Sequence, residues 1–201
     1  MEIGDGMNNR SRRCAPMSGR IPDLAPGDLD EAQRTLYESL VTNEVAWAEG
    51  AGVRAIAPDG TLLGPFNPLL FSPALGTAQV GVFRADKAGT SLSRRVHEIV
   101  VLTVGAAWRS DYELYAHSAV AKVAGLPDAV IRALASGQSP VFESEEEATA
   151  HAFTWQVAHK HRVDQDTYAD AARAFGDKGL VDMVMLVSIL CALATIARLW
   201  R

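Results

Sequence analysis

From Ser93 onward the chain reads as a run of helices with apolar residues at helical spacing, several opened by a serine or proline and several stopped by a glycine. Ser93 opens a stretch in which Val96, Ile99, Val100, Thr103, Val104 and Ala107 form one core stripe, with Gly105 tolerated inside it. Ser110-Asp-Tyr-Glu113 has the spacing of a capping box and starts the next helix, which ends before Gly125 and Pro127. A short helix from about Pro127 to Ser136 is stopped by Gly137, and another begins at Ser144, where Ser144-x-x-Glu147 repeats the box. A further helix spans about Asp164 to Phe175 and closes at Gly176; the last runs from about Lys178 to Trp200.

Upstream, Asp28 follows Pro26-Gly27 and is the expected N-cap of a first helix carrying Leu29, Ala32, Leu36 and Leu40 on one face. Glycines and prolines punctuate Asn43 to Pro73, so that stretch reads as a long loop with turns, of the kind that often serves binding. Its segment Gly64-Pro-Phe-Asn-Pro-Leu-Leu70 is either a surface turn anchored by Phe66 or pocket lining. Ser72-Pro73 is the expected cap and first turn of a helix to roughly Lys87, ended by Gly89. No strand pairing or Gly-rich phosphate loop stands out. The expectation is a single all-α domain over residues 21–201, with about seven or eight helices, preceded by a disordered polar tail over 1–20 in which Met17 is a candidate internal start.

Composition agrees. With 201 residues there is material for one core, and 48% hydrophobic residues with only 7% aromatics favour helices rich in alanine and leucine. A net charge of −5 and a pI near 5.5 argue against a nucleic-acid partner. Cys14 and Cys191 make neither a disulfide framework nor a metal knuckle, which implies a reducing, cytoplasmic setting. Arg10, Arg12 and Arg13 are followed by no apolar stretch, so the start is not a secretory signal. The most apolar segment, Val184 to Ala197, is about 14 residues against the ~20 a bilayer needs. Asp182 and Arg198 bracket it, so a buried or interface helix is expected and no membrane partner.

The chemistry concentrates between Glu98 and His117. Glu113 and His117 are four apart and share a helix face, with Cβ atoms roughly 5–6 Å apart. Glu98 lies beside core positions Ile99 and Val100; if buried, its pKa rises and it becomes a usable acid or base. Glu113 at a helix start has the alternative of capping Ser110 N–H, and the helix dipole would keep it charged. His97 points about 100° from Glu98 on a helix and is expected outside the same site. His151, His159 and His161 lie too far along the chain to place against the cluster, and His159 and His161 cannot share a helix face, which argues against a metal set. Trp108, Tyr112 and Tyr115 flank the cluster as core packing or as a ligand wall.

Arg95-Val-His-Glu98-Ile-Val-Val-Leu, with Trp108, Tyr112-Glu113 and His117 downstream, resembles the signature of the carboxymuconolactone decarboxylase family, a branch of the alkylhydroperoxidase D-like (AhpD-like) superfamily. Gly64 to Leu70 and Val181 to Val187 are similar as well, so the resemblance covers about residues 20–200. It implies an all-helical bundle and homo-oligomers, trimers or hexamers. The peroxidase branch of that superfamily carries Glu-x11-Cys-x2-Cys-x3-His; here Glu98 and His117 match while Ser110 and Glu113 replace the two cysteines. Without a thiolate, peroxidase activity is disfavoured. The resemblance implies instead a cofactor-free, metal-free lyase acting on a small carboxylated lactone or related enolisable acid. His117 would be the general acid, Glu98 its relay and Glu113 the group that orients it. Phe66, Asn67, Trp108, Tyr112 and Ser110 are the expected substrate-binding residues, with Asn67 or a backbone N–H at Ser110 holding an oxyanion. An isomerase, hydratase or retro-aldol enzyme using the same residues, and a non-catalytic ligand-binding oligomer, are the alternatives.

Overall fold

The computed structural model describes residues 21–200, with side chains to Arg198; the expected tail, Met17 and Cys14 lie outside the described residues. Helices are the only regular elements among them, apart from one isolated antiparallel bridge between Ile56 and Leu62. They are α1 (Glu31–Leu40), α2 (Ala46–Gly50), α3 (Phe66–Leu69), α4 (Pro73–Gly89), α5 (Arg94–Trp108), α6 (Asp111–Val123), α7 (Asp128–Ala135), α8 (Glu145–Lys160) and α9 (Gln165–Trp200).

α5 is the axis. Every residue from Glu98 to Gly105 is buried, because α6, α7, α8 and α9 all pack on it. Val96, Val100 and Val104 join Phe153 of α8 and Met183, Leu186 and Leu190 of α9 in one core cluster. Ile99 and Leu102 face α7 through Val130, Ile131 and Leu134. A buried Leu or Ile contributes about 1.5–3 kcal/mol, and this surplus holds the Glu98 carboxylate in the interior. Leu36, Leu40, Leu62, Leu70 and Val80 build a separate cluster beneath α1 and α4.

The helix starts at Ser93 and Ser144 are as expected, each hydroxyl accepting from the backbone N–H three residues on. Others differ. Asp28 ends a 3₁₀ turn, Pro26–Asp28, and the first helix is capped by Asp30, which forms a full capping box with Gln33. Residues 43–50 are helix rather than loop: α1 continues through a π turn, Val41–Val45, into α2. No glycine or proline interrupts the chain before Gly50, so nothing local stops it. Neither Ser72 nor Ser110 caps with its side chain.

Two backbone features set how α6 sits against its neighbours. Arg109 takes the left-handed conformation, φ 51°, so α5 turns into α6 within two residues and the helices lie side by side. Gly64, at φ 65°, packs against the Tyr112 ring with no room for a Cβ, which seats the 51–65 loop on α6.

α9 breaks at Gly176 (φ 62°, ψ −179°), the expected boundary between two helices. By length and composition alone, Gln165–Arg198 would suffice to cross a bilayer. Only 44% of its most apolar window is buried, yet Met183, Leu186 and Leu190 are core residues. Val181, Val184 and Met185 form an exposed apolar face on the same helix.

Candidate active site

Side-by-side packing of α5 and α6 brings Glu98 against His117: Oε2 lies 2.8 Å from Nδ1. The other ring nitrogen, Nε2, is 3.5 Å from Glu113 Oε2, one turn away on α6. All three groups are buried. The expected convergence of Glu98, Glu113 and His117 is therefore present in the geometry, and Glu113 faces the imidazole rather than the Ser110 N–H.

The cluster is larger than the three. His97 is not turned away: its Nδ1 is 3.3 Å from Glu98 Oε1, and its Nε2 is 3.0 Å from Asp86 Oδ2 on α4. Successive helix positions do diverge by about 100°, but both side chains are long enough to bend back around the same edge of α5. Acid and imidazole thus alternate through Asp86, His97, Glu98, His117 and Glu113.

Burial alone would raise the Glu98 pKa, but the adjacent His117 and His97 outweigh it and hold the carboxyl down at about 2. Burial would lower His97; its bonds to Asp86 and Glu98 reverse that and lift it to about 9. His117 is likewise raised, burial being overcome chiefly by Glu98. Glu113 goes the other way. Burial pushes its pKa up, with His117 opposing only in part, so of the two glutamates it is the more ready to carry a proton, contrary to the expectation of a dipole-held anion.

Two hollows meet at the His117 ring. A cavity of about 530 Å³ is lined by His97, Glu98, His117, Trp47, Lys87 and Phe83, among others. On the Glu113 side a pocket of only about 40 Å³ lies among Trp47, Phe66 and Tyr112. Phe66 and Tyr112 thus border His117 from behind, packed edge to face.

The remaining expected binding residues serve the scaffold. The Asn67 amide is spent on Leu24, accepting from its N–H at 2.9 Å and donating to its carbonyl at 3.0 Å. It pins the chain entering α1 and borders neither hollow, so it is not placed to hold an oxyanion. Ser110 is buried and borders neither hollow. Trp108 packs against the α5–α8–α9 core beside Cys191, and its carbonyl accepts from Arg198. Tyr115 is exposed, its hydroxyl accepting from Arg54 N–H at 3.2 Å. His151 bonds Thr103 in the core and His161 caps α8. Among the described residues no group of three or more His, Cys, Asp or Glu could hold a metal ion.

Asp86, Lys87 and Trp47 also belong to the site, and no sequence signal pointed to them. Lys87 Nζ lies 3.6 Å from the Trp47 ring centroid, and Trp47 in turn lies 6.2 Å from the His117 ring. Asp86 and Lys87 close α4 just before Gly89, a position that gives no local hint of a site.

Solved structures share this architecture. The chain matches an alkylhydroperoxidase AhpD core protein, an uncharacterized peroxidase-related protein from Ralstonia eutropha JMP134. The TM-score is 0.70 at 16% identity, covering 92% of this chain and 90% of that one. The fold is AhpD-like. The debrominase Bmp8 is also similar: its complex with 2,3,4-tribromopyrrole gives a TM-score of 0.66 at 16% identity, over 91% of this chain and 90% of that one. Its apo form gives 0.64 at the same identity, over 92% and 90%. No protein-family model and no curated protein matches the sequence. Within the AhpD-like fold of this chain, Cys191 is the described cysteine; burial pushes its thiol pKa up and it packs against the core rather than the cavity.

Proposed function

We propose that this protein is a cofactor-free, thiol-independent lyase of the carboxymuconolactone decarboxylase type, acting by proton transfer on a small carboxylated lactone or related enolisable acid. The supporting observation is the His117 imidazole gripped by Glu98 at the edge of a cavity large enough for such a ligand. An AhpD-like fold alone would not carry the reading, because one fold hosts many reactions.

In this reading the carbon–carbon bond to a carboxylate breaks and carbon dioxide leaves. The electron pair spreads into the conjugated carbonyl as a dienolate, and His117, whose Nδ1 is held by Glu98, delivers its Nε2 proton to carbon. Glu98, held ionised, keeps the imidazole oriented and protonated. Glu113, whose pKa is raised by burial, returns a proton to His117 from the closed side. The two acids thereby exchange the roles that the family resemblance implies. Copies of the chain assemble through the exposed apolar face of α9, as homo-oligomers working in the cytoplasm.

His117→Gln tests the mechanism. Turnover of carboxylated lactones, followed by gas release and ultraviolet absorbance, should fall roughly 10²–10⁴-fold. Near-native turnover would count against proton delivery by this ring. Absorbance change without gas would replace the decarboxylase by an isomerase.

A further inference from the structure

Leu36, Leu40, Glu44 and Ala48 are buried in one row, four residues apart, on the helix that starts at Glu31 and continues into α2. A regular α-helix turns by about 100° per residue, so such a row would drift by about 40° at each step. The π turn Val41–Val45 absorbs that drift. Because it takes up one extra residue, it also sets Trp47 about 100° from where an unbroken α-helix would aim it. Side chains meet the carbonyls that the wider turn loosens. Thr42 Oγ1 donates to Glu38 O at 2.8 Å; Ser39 O accepts from Asn43 Nδ2 at 2.8 Å and from Arg84 Nη2 at 3.2 Å.

Arg84 also forks onto the Glu44 carboxylate inside the turn, Nε at 2.9 Å and Nη2 at 2.7 Å, and Glu44 is buried. On α4, Arg84 lies in the turn that brings Phe83 to the cavity and Asp86 to His97. The pair therefore ties the bend that aims Trp47 to the helix facing it. Trp47 lines both hollows, and its ring lies 6.2 Å from the His117 imidazole. We propose that the Glu44–Arg84 pair is a positioning device: it holds the π turn against α4 and so fixes the Trp47 ring as the wall beside His117. Neither member of the pair lines either hollow, so both act through Trp47. A buried ion pair that serves only stability can be exchanged for apolar side chains at little cost; a positioning pair cannot. The catalytic meaning of the wall rests on His117 as proton donor, but its place is measurable without turnover.

The experiment follows the His117 ring C–H signals of the full chain by NMR, assigned through His117→Gln, alongside turnover of carboxylated lactones. Trp47→Leu removes the indole ring current and gives the reference shift. The double variant Glu44→Met, Arg84→Met removes the pair without stranding a charge. Its melting temperature should move little while its His117 signals move toward the Trp47→Leu positions, and kcat/KM should fall roughly 10–100-fold. Arg84→Lys keeps the charge and loses the fork, so its signals should lie between those of the wild type and the double variant. It carries the test alone if the double variant unfolds. His117 signals that stay at their wild-type positions in these variants, even with a lowered melting temperature, would overturn the proposal, as would signals that shift while kcat/KM does not. Normal turnover of His117→Gln, with the shifts as expected in the other variants, removes the proton-transfer mechanism and leaves the positioning pair standing.

Discussion

Glu98 holds His117 at 2.8 Å from a different helix, nineteen positions earlier in the chain, while Glu113 on the same helix reaches the ring only at 3.5 Å. Sequence proximity ranks the two acids in the opposite order. The inter-helix contact is tighter because α5 is clamped on all sides and sets its carboxylate squarely at Nδ1, so Glu98 governs the charge of the imidazole.

His97 adds a pH-dependent element facing Asp86, Glu98 and, across the cavity, Lys87 and His117. Its folded pKa of about 9 lies above the free value of 6.5. The associated stability is therefore fully present below about pH 6.5 and is lost as pH rises through about 9. The shift corresponds to about 3 kcal/mol. Chemical denaturation of the wild type should show this decline between those limits, and His97→Gln should flatten it. An unchanged slope in the variant would detach His97 from the ion row.

Glu113→Gln should be mild for folding and severe for chemistry. A neutral amide imitates the protonated carboxyl that burial favours, so the melting temperature should move by only a few degrees, a cost of about 1 kcal/mol or less. Turnover should fall at least tenfold, because the amide cannot return a proton to Nε2. A variant that unfolds while its residual activity per folded molecule is normal would make Glu113 a packing residue.

Asn67→Ala should act on stability and leave the Michaelis constant alone. The amide is buried and both of its ends are bonded to Leu24. Its loss strands two backbone groups, at about 1–3 kcal/mol each. Thermal melts and steady-state kinetics separate the two effects; a raised Michaelis constant with normal stability would return Asn67 to the pocket.

The exposed face of α9 makes assembly measurable. Val181, Val184 and Met185 are 61%, 42% and 46% exposed on one helix, an unusual apolar concentration for a free surface. Light scattering coupled to size exclusion should give a trimer or hexamer for the full chain and a smaller species for the double variant Val184→Asp, Met185→Asp. A wild-type monomer would refute assembly through this face.

Local chemistry determined most of the scaffold. Helix starts at Ser93 and Ser144, the stops at Gly125 and Gly176, and the stripe along α5 come from hydrogen-bond capping and apolar spacing, which act within a few residues. The pairing of Glu113 with His117 is equally local, since a helix fixes what lies one turn away. The tertiary structure alone decided the rest. Asp86 meets His97, and Lys87 covers Trp47, because α4 packs across the site. Asn67 is consumed by Leu24, 43 positions away, for the same kind of reason. Charge and exposure in this site are set by which helices touch. That choice is made by the summed burial of side chains spread along the whole chain, so no single stretch of sequence displays it.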